Sequence, residues 1–220
     1  MADNYLEKRF DEVFGKKTVV KRVGHTLDEL LLKNRSTRGY HKDFVVRREL
    51  LEQIVSVNCK TPSARNQQVL RFKIVTKDSG AEKMLPLVKM GAALPELHLP
   101  FPGTEPEAFV IVCSTVPENK MVDIDLGISV QSMLLKAAEM GLNGLIIGAF
   151  DKRKVTEAFL LPYEPLLVVA IGKSAETIRL VAVQNEESAT TDEMRPPLAY
   201  YRKDGVHCVP KLSLSDLLLR

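Results

Sequence analysis

The sequence predicts a mixed domain of the α/β or α+β class, a sheet covered by helices, and three observations carry that reading. Short aliphatic and β-branched runs (Leu70 to Thr76, Ala108 to Ser114, Leu145 to Ile147, Leu166 to Ile171) have the length and composition of buried strands. Segments with apolar residues three and four apart alternate with them, as in amphipathic helices. The 220 residues are 45% hydrophobic and 27% charged, which suffices for one well-covered core.

Taken in order, residues 1–25 are polar and weakly periodic and read as an N-terminal extension before a domain of residues 26–220. Thr26 and Glu29 form a capping box, and Leu27, Leu30 and Leu31 give the following helix an apolar face that ends near Asn34. Arg47 to Val57 repeats the pattern with Leu50, Leu51, Ile54 and Val55. Leu70 to Thr76 alternates as a strand, and Ser79 to Met90 reads as a helix bent or shortened by Pro86. The proline-rich segment LPELHLPFPGTEPE reads as a surface loop. Asp123 to Met140 is the longest predicted helix, stopped by Gly141, and its apolar residues cover more than one face. That distribution demands burial in a large core or a subunit interface. Lys152 to Leu160 is a further helix, followed by the strand at Leu166 and then a polar stretch, Gln184 to Glu193. The chain ends in an arm, AYYRKDGVHCVPK, and a short helix.

Several function classes are disfavoured. A net charge of +3 is too small for a general nucleic-acid surface. No apolar run reaches membrane-spanning length, and the charged start lacks the apolar core of a signal peptide. Cys59, Cys113 and Cys208 have no metal-type spacing and cannot all pair, so free thiols and a cytoplasmic location are expected. His25, His41, His98 and His207 are scattered, and no dinucleotide fingerprint, P-loop or zinc-protease motif occurs. With no nucleophile and base in evidence, no catalytic side chain is assigned, and a bound cofactor is expected to carry any chemistry.

Three segments could bind one. In KNRSTRGYHKD, Arg35 and Arg38 flank Ser36 just past a helix; two guanidinium forks and a hydroxyl suit a phosphate, though cations there also favour the helix dipole. In PSARNQQ, Ser63 and Asn66 either cap a turn or donate to a polar ligand. In EMGLNGLIIGAF, Gly144 and Gly148 bracket a short strand, either for close packing or for the approach of a flat ligand.

Together RSTRGY, PSARNQQ and DLGISVQSMLLKAAEMGLNGLIIGAF, in this order, resemble the FMN-dependent nitroreductase family over roughly Thr26 to Lys173 and the C-terminal arm. The resemblance implies an α+β fold, a three-layer α/β/α sandwich with a mostly antiparallel central sheet. It also implies an intertwined homodimer whose C-terminal arm, residues 195–220, lies on the partner. It implies FMN as cofactor and NADH or NADPH as co-substrate, with ping-pong reduction of a nitroaromatic or quinone and with neither nucleic acid nor membrane as partner. Arg35, Ser36 and Arg38 would bind the FMN phosphate and ribityl chain. Pro62, Ser63, Ala64 and Asn66 would come from the other subunit, and Ile147, Gly148 and Ala149 would run beside the flavin ring. Arg202 resembles a further phosphate-binding cation, with Arg195 and Lys203 as alternatives. Two departures stand out: Asn34 precedes Arg35 where many members have arginine, and Val69-Leu70 stands where many have Pro-Trp. The same fold also hosts dehalogenation, flavin breakdown and non-catalytic flavin binding, so these remain alternatives.

Overall fold

Local sequence signals set most element boundaries in the computed structural model, which describes residues 24–92, 94–183 and 198–219. The first helix, α1 (Leu27–Lys33), begins at the expected capping box: Glu29 N–H donates to Thr26 Oγ1 at 3.2 Å, and Thr26 N–H donates to Glu29 Oε2 at 3.0 Å. Helix α2 (Arg48–Val55) buries Leu51 and Ile54, four and seven residues from Arg47, and runs into a 3₁₀ turn over Ser56–Cys59. Strand β1 (Leu70–Val75) follows with the alternating burial its sequence predicts. The helix expected over Ser79 to Met90 is much shorter. Helix α3 (Ala81–Met84) gives way to a 3₁₀ turn at Leu85–Leu87, because Pro86 lacks the N–H that a continuing helix would use.

Strand β2 (Phe109–Ser114) is buried throughout. Helix α4 (Lys120–Glu139) starts three residues earlier than expected, because Asn119 Oδ1 accepts from the N–H groups of Met121 and Val122. It stops as expected. Gly141 adopts φ +76°, Gly141 N–H bonds Ala138 O at 3.1 Å and Leu142 N–H bonds Ala137 O at 2.8 Å, the paired bonds of a Schellman motif. Strand β3 (Asn143–Ile147), helix α5 (Lys152–Phe159) and strand β4 (Glu164–Gly172) complete the central part.

The four strands form an antiparallel sheet in the order β1-β2-β4-β3. Because side chains alternate along a strand, β2 feeds two cores. Val110 and Val112 pack with Leu51, Ile54, Val130 and Met133 beneath α2 and α4. Phe109 and Ile111 pack with Met84, Val155 and Phe159 beneath α3 and α5. The result is the expected three-layer α+β sandwich.

The C-terminal region departs from expectation. Strand β5 (Ile178–Ala182), unrecognised in the sequence, pairs in parallel with β7 (Val206–Lys211), which also pairs with β6 (Tyr201–Lys203). Val206 to Lys211 thus pairs with β5 of the same chain. The left-handed pair Asp204 (φ 51°) and Gly205 (φ 79°) makes the tight hairpin between β6 and β7. A final helical turn, α6 (Leu214–Leu217), leaves Leu214, Leu217 and Leu218 exposed. Most of the N-terminal extension, the polar stretch from Gln184 and Arg195 lie outside the described residues. Among the described residues no helix is long and apolar enough to cross a membrane, and the three cysteines are free, Cys113 and Cys208 being buried.

Candidate functional site

The chain leaves α1 along the free edge of β3, and this edge positions the Arg-Ser-Thr-Arg segment. Ser36 forms a parallel bridge with Gly144, Thr37 N–H donates to Gly144 O at 3.1 Å, and Asn143 Nδ2 donates to Lys33 O at 2.7 Å. Thr37 is fully buried, and the buried Tyr40 hydroxyl donates to its carbonyl at 2.7 Å. Gly144 leaves no space for a side chain: an added Cβ would lie 2.6 Å from Leu134 Cδ2 and 2.7 Å from Ala170 O. Of the two readings the sequence left open for this glycine, close packing accounts for it.

Thus anchored, Arg35, Ser36 and Arg38 line one pocket of about 370 Å³ with Leu31, Gly144 and Ile146. Arg35 Nη2 donates to Leu31 O, and Arg38 Nη1 donates to Ser36 O at 3.1 Å, so each guanidinium is held by its own neighbourhood. The Arg38 guanidinium lies over the Tyr200 ring, 4.6 Å from its centroid. Each arginine keeps a buried Nε with no hydrogen-bond partner. A buried N–H without an acceptor costs about 1–3 kcal/mol, so two such donors in one pocket fit an incoming anion.

The far wall comes from the C-terminal sheet, which supplies Ile178, His207, Val209 and Lys211, and from Tyr200 just before β6. Glu176, just before β5, accepts from Arg38 N–H at 2.8 Å and lies 3.4 Å from His207 Nε2. Both side chains are nearly buried, at 8% and 5% exposure. Burial holds the His207 imidazole below its usual range; Glu176 opposes this, while Arg202 and Arg38 reinforce it.

The Pro-Ser-Ala loop sits elsewhere. Pro62 and Ser63 line a second groove of about 320 Å³ with Asn58, Phe72, Asp125 and Ser129. Two polar residues buried on α4 hold it: Asp125 Oδ1 accepts from Ala64 N–H at 2.8 Å, and Ser129 Oγ donates to Asn58 Oδ1 at 2.6 Å. Ser63 Oγ accepts from Gln68 N–H at 3.1 Å, and Gln68 Nε2 donates to Asn66 Oδ1 at 3.0 Å. Arg65, Asn66 and Gln68 all adopt left-handed backbone, an unusual concentration for non-glycine residues. Within one chain Ser63 therefore bonds the backbone of its own loop at Gln68 without capping the Ala64–Asn66 turn, while Asn66 is exposed.

The two pockets share no lining residue. Asp125 and Ser129 of α4 face the loop groove, whereas Gln131 and Leu134 of the same helix face the arginine pocket. Ser129 and Gln131 are two residues apart, roughly 200° around a helix. Helix α4 thus stands between the two expected halves of the site.

The remaining expected residues are dispersed. Ile147 is buried in the core, Gly148 and Ala149 are exposed at the end of β3, and Ile146 instead turns to the arginine pocket. An added Cβ at Gly148 would meet only Leu167, at 3.8 Å, so its surface is open. Arg202 lies over the Phe101 ring, 4.8 Å from its centroid, and Lys203 is exposed. The C-terminal cation that lines the arginine pocket is Lys211, with His207 beside it. Neither was singled out from the sequence, and nothing local marks them.

Residues 31–173 match the model of the nitroreductase family. A protein of Bacillus subtilis (strain 168), YdgI, described as an NAD(P)H nitroreductase, is 24% identical over 184 residues, which are 67% of this chain and 88% of that protein. Among solved structures, a nitroreductase of Exiguobacterium sibiricum 255-15 in complex with FMN superposes with a TM-score of 0.57 at 21% identity, covering 70% of this chain and 90% of that one. An NAD(P)H:FMN oxidoreductase of Staphylococcus epidermidis ATCC 12228 gives a TM-score of 0.56 at 20% identity, covering 69% and 88%.

Proposed function

Because the chain belongs to the nitroreductase family, we propose that it is a homodimeric FMN oxidoreductase that draws hydride from NADH or NADPH and reduces a nitroaromatic or quinone. The observation that carries this reading is the arginine pocket, where Arg35 and Arg38 each hold a buried Nε without an acceptor. A phosphate offers several acceptor oxygens, and the guanidinium fork matches its geometry. The donors present therefore fit the phosphate end of FMN, with Ser36 and Lys211 as further donors around it.

Bound FMN would supply the redox chemistry, exchanging first with the pyridine nucleotide and then with the acceptor in a ping-pong sequence. The chain's own residues bind and orient. Arg35, Ser36 and Arg38 would fix the phosphate, Ile146 would offer an apolar surface beside it, and the exposed Gly148 and Ala149 would border the flavin ring. Pro62, Ser63, Ala64 and Asn66 would complete the site from a second copy, since α4 separates this loop from the arginines of its own chain. Exposed Leu27, Leu31 and Leu32 of α1, with Leu214, Leu217 and Leu218 at the other end, are the apolar surface such a dimer would cover. No proton-transferring side chain is assigned, because orientation is what hydride transfer chiefly needs.

The test is to identify the flavin carried by the purified protein and follow its reduction by NADH and by NADPH, then its reoxidation by a quinone. FMN reduced by at least one nucleotide and reoxidised by the quinone supports the proposal. Retention of no FMN after reconstitution and gel filtration, or bound FMN that neither nucleotide reduces, contradicts it.

A further inference from the structure

His207 is set apart from the chain's other three histidines. It sits on β7 in the middle of the C-terminal sheet, is nearly buried, and lines the arginine pocket. Neither of its ring nitrogens has a hydrogen-bond partner. Glu176 Oε1 lies 3.4 Å from His207 Nε2 and is itself without a hydrogen bond, while Glu176 Oε2 is taken by Arg38 N–H. A buried imidazole with both nitrogens idle is costly unless something completes it.

We propose that His207 is a further phosphate-binding residue of the arginine pocket, protonated when the anion enters, so that FMN binding takes up a proton. The proposal rests on the FMN reading above and extends it to a residue outside the matched segment. The groups facing His207 set its sign. Arg38 and Arg202 repel a proton there, Glu176 attracts one, and Arg35, Lys211 and the Tyr200 hydroxyl share the pocket. Without an anion the cations and burial prevail, and the imidazole stays neutral near neutral pH. A dianionic phosphate adds two negative charges to the pocket lined by the two arginines whose Nε atoms lack acceptors. That favours the imidazolium, which then donates to a phosphate oxygen from one nitrogen and faces Glu176 with the other. Glu176 is then a positioning residue: it ties the clamp backbone at Arg38 to the ring of His207.

The consequence is a linkage between pH and affinity. One linked proton makes affinity rise by up to about tenfold for each pH unit of acidification, until the phosphate itself protonates near its second pKa of about 6. Dissociation constants for FMN and for riboflavin should be measured by flavin fluorescence at pH 6.5 to 8.5, on the apoprotein and on His207→Gln. The expected result is an FMN affinity that strengthens several-fold toward pH 6.5 in the wild type, a smaller slope in His207→Gln, and no slope for riboflavin in either. Glutamine is close in size and keeps a polar partner for Glu176. A histidine serving only to pack the sheet would alter thermal stability without changing the pH slope.

A second measurement needs no variant. With four histidines in the chain, the imidazole resonances can be followed by NMR with and without FMN, and one should titrate at higher pH when FMN is bound. An unchanged slope in His207→Gln, or four histidines that titrate alike with and without FMN, overturns the role of His207 while leaving FMN binding intact. FMN bound no more tightly than riboflavin at every pH overturns the phosphate clamp and this inference with it.

Discussion

Arg38 serves three partners with one residue. Its backbone N–H reaches Glu176, its Nη1 reaches Ser36 O, and its guanidinium plane rests on Tyr200. Those contacts fix the side chain before any ligand arrives, which lowers the entropic cost of binding. A charge-assisted hydrogen bond contributes about 1.5–3 kcal/mol, so Arg38→Ala should weaken FMN about tenfold or more and leave riboflavin nearly unchanged, as read by fluorescence titration. Asp125 has a comparable role in the other groove, since it alone accepts from Ala64 N–H among the described residues. Asp125→Ala should lower unfolding free energy by about 1–3 kcal/mol, measured by urea denaturation. The arginines were legible in the sequence because they lie within four residues of each other beside a helix end. Asp125 and Ser129 are two of several polar residues in α4, and only the fold shows that these two are buried against the loop. His207 and Lys211 could not be read at all: they meet Arg38 through strand pairing some 170 residues along the chain.

At the scale of elements, legibility followed the range of the forces. The capping box at Thr26 and Glu29 and the stop at Gly141 are local chemistry, and both occur where the sequence places them. The turn of helix at Ala81–Met84 is shorter than expected because Pro86, a local signal, ends it. Strand β5 is not legible in the sequence, because it has only five residues and its parallel partner β7 lies beyond a polar stretch. The contact between α4 and β3 is where an element prediction can be made sharp. Gly144 admits no Cβ without displacing Leu134 or the Ala170 carbonyl. Gly144→Ala should destabilise the protein by about 1–3 kcal/mol, the usual cost of overpacking, and should weaken FMN as well, because the Thr37 backbone hangs on the Gly144 carbonyl. Thermal denaturation and flavin titration on the same variant would show both effects.

On the proposed reading the molecule as a whole holds a cofactor, and no side chain is expected to act as an essential acid or base. His41 and His98 lie in loops outside both pockets. His41→Ala and His98→Ala should each retain substantial NADH or NADPH oxidation in steady-state assays, with losses far below the roughly 10²–10⁴-fold that follows removal of a general acid or base. In the proposed dimer each flavin would be shared between two copies. Arginines and loop lie on opposite faces of α4, and in the proposed dimer two-fold pairing would join the arginines of one copy to the loop of the other. The direct test mixes two defective proteins, Arg35→Ala with Arg38→Ala in one and bulky substitutions at Ser63 and Asn66 in the other, refolded together. In a mixed dimer one site then holds both defects and the other holds neither, so FMN content and activity should return to about half of the wild-type value per dimer. Mixed dimers that form and still bind no FMN at any mixing ratio would contradict the shared site.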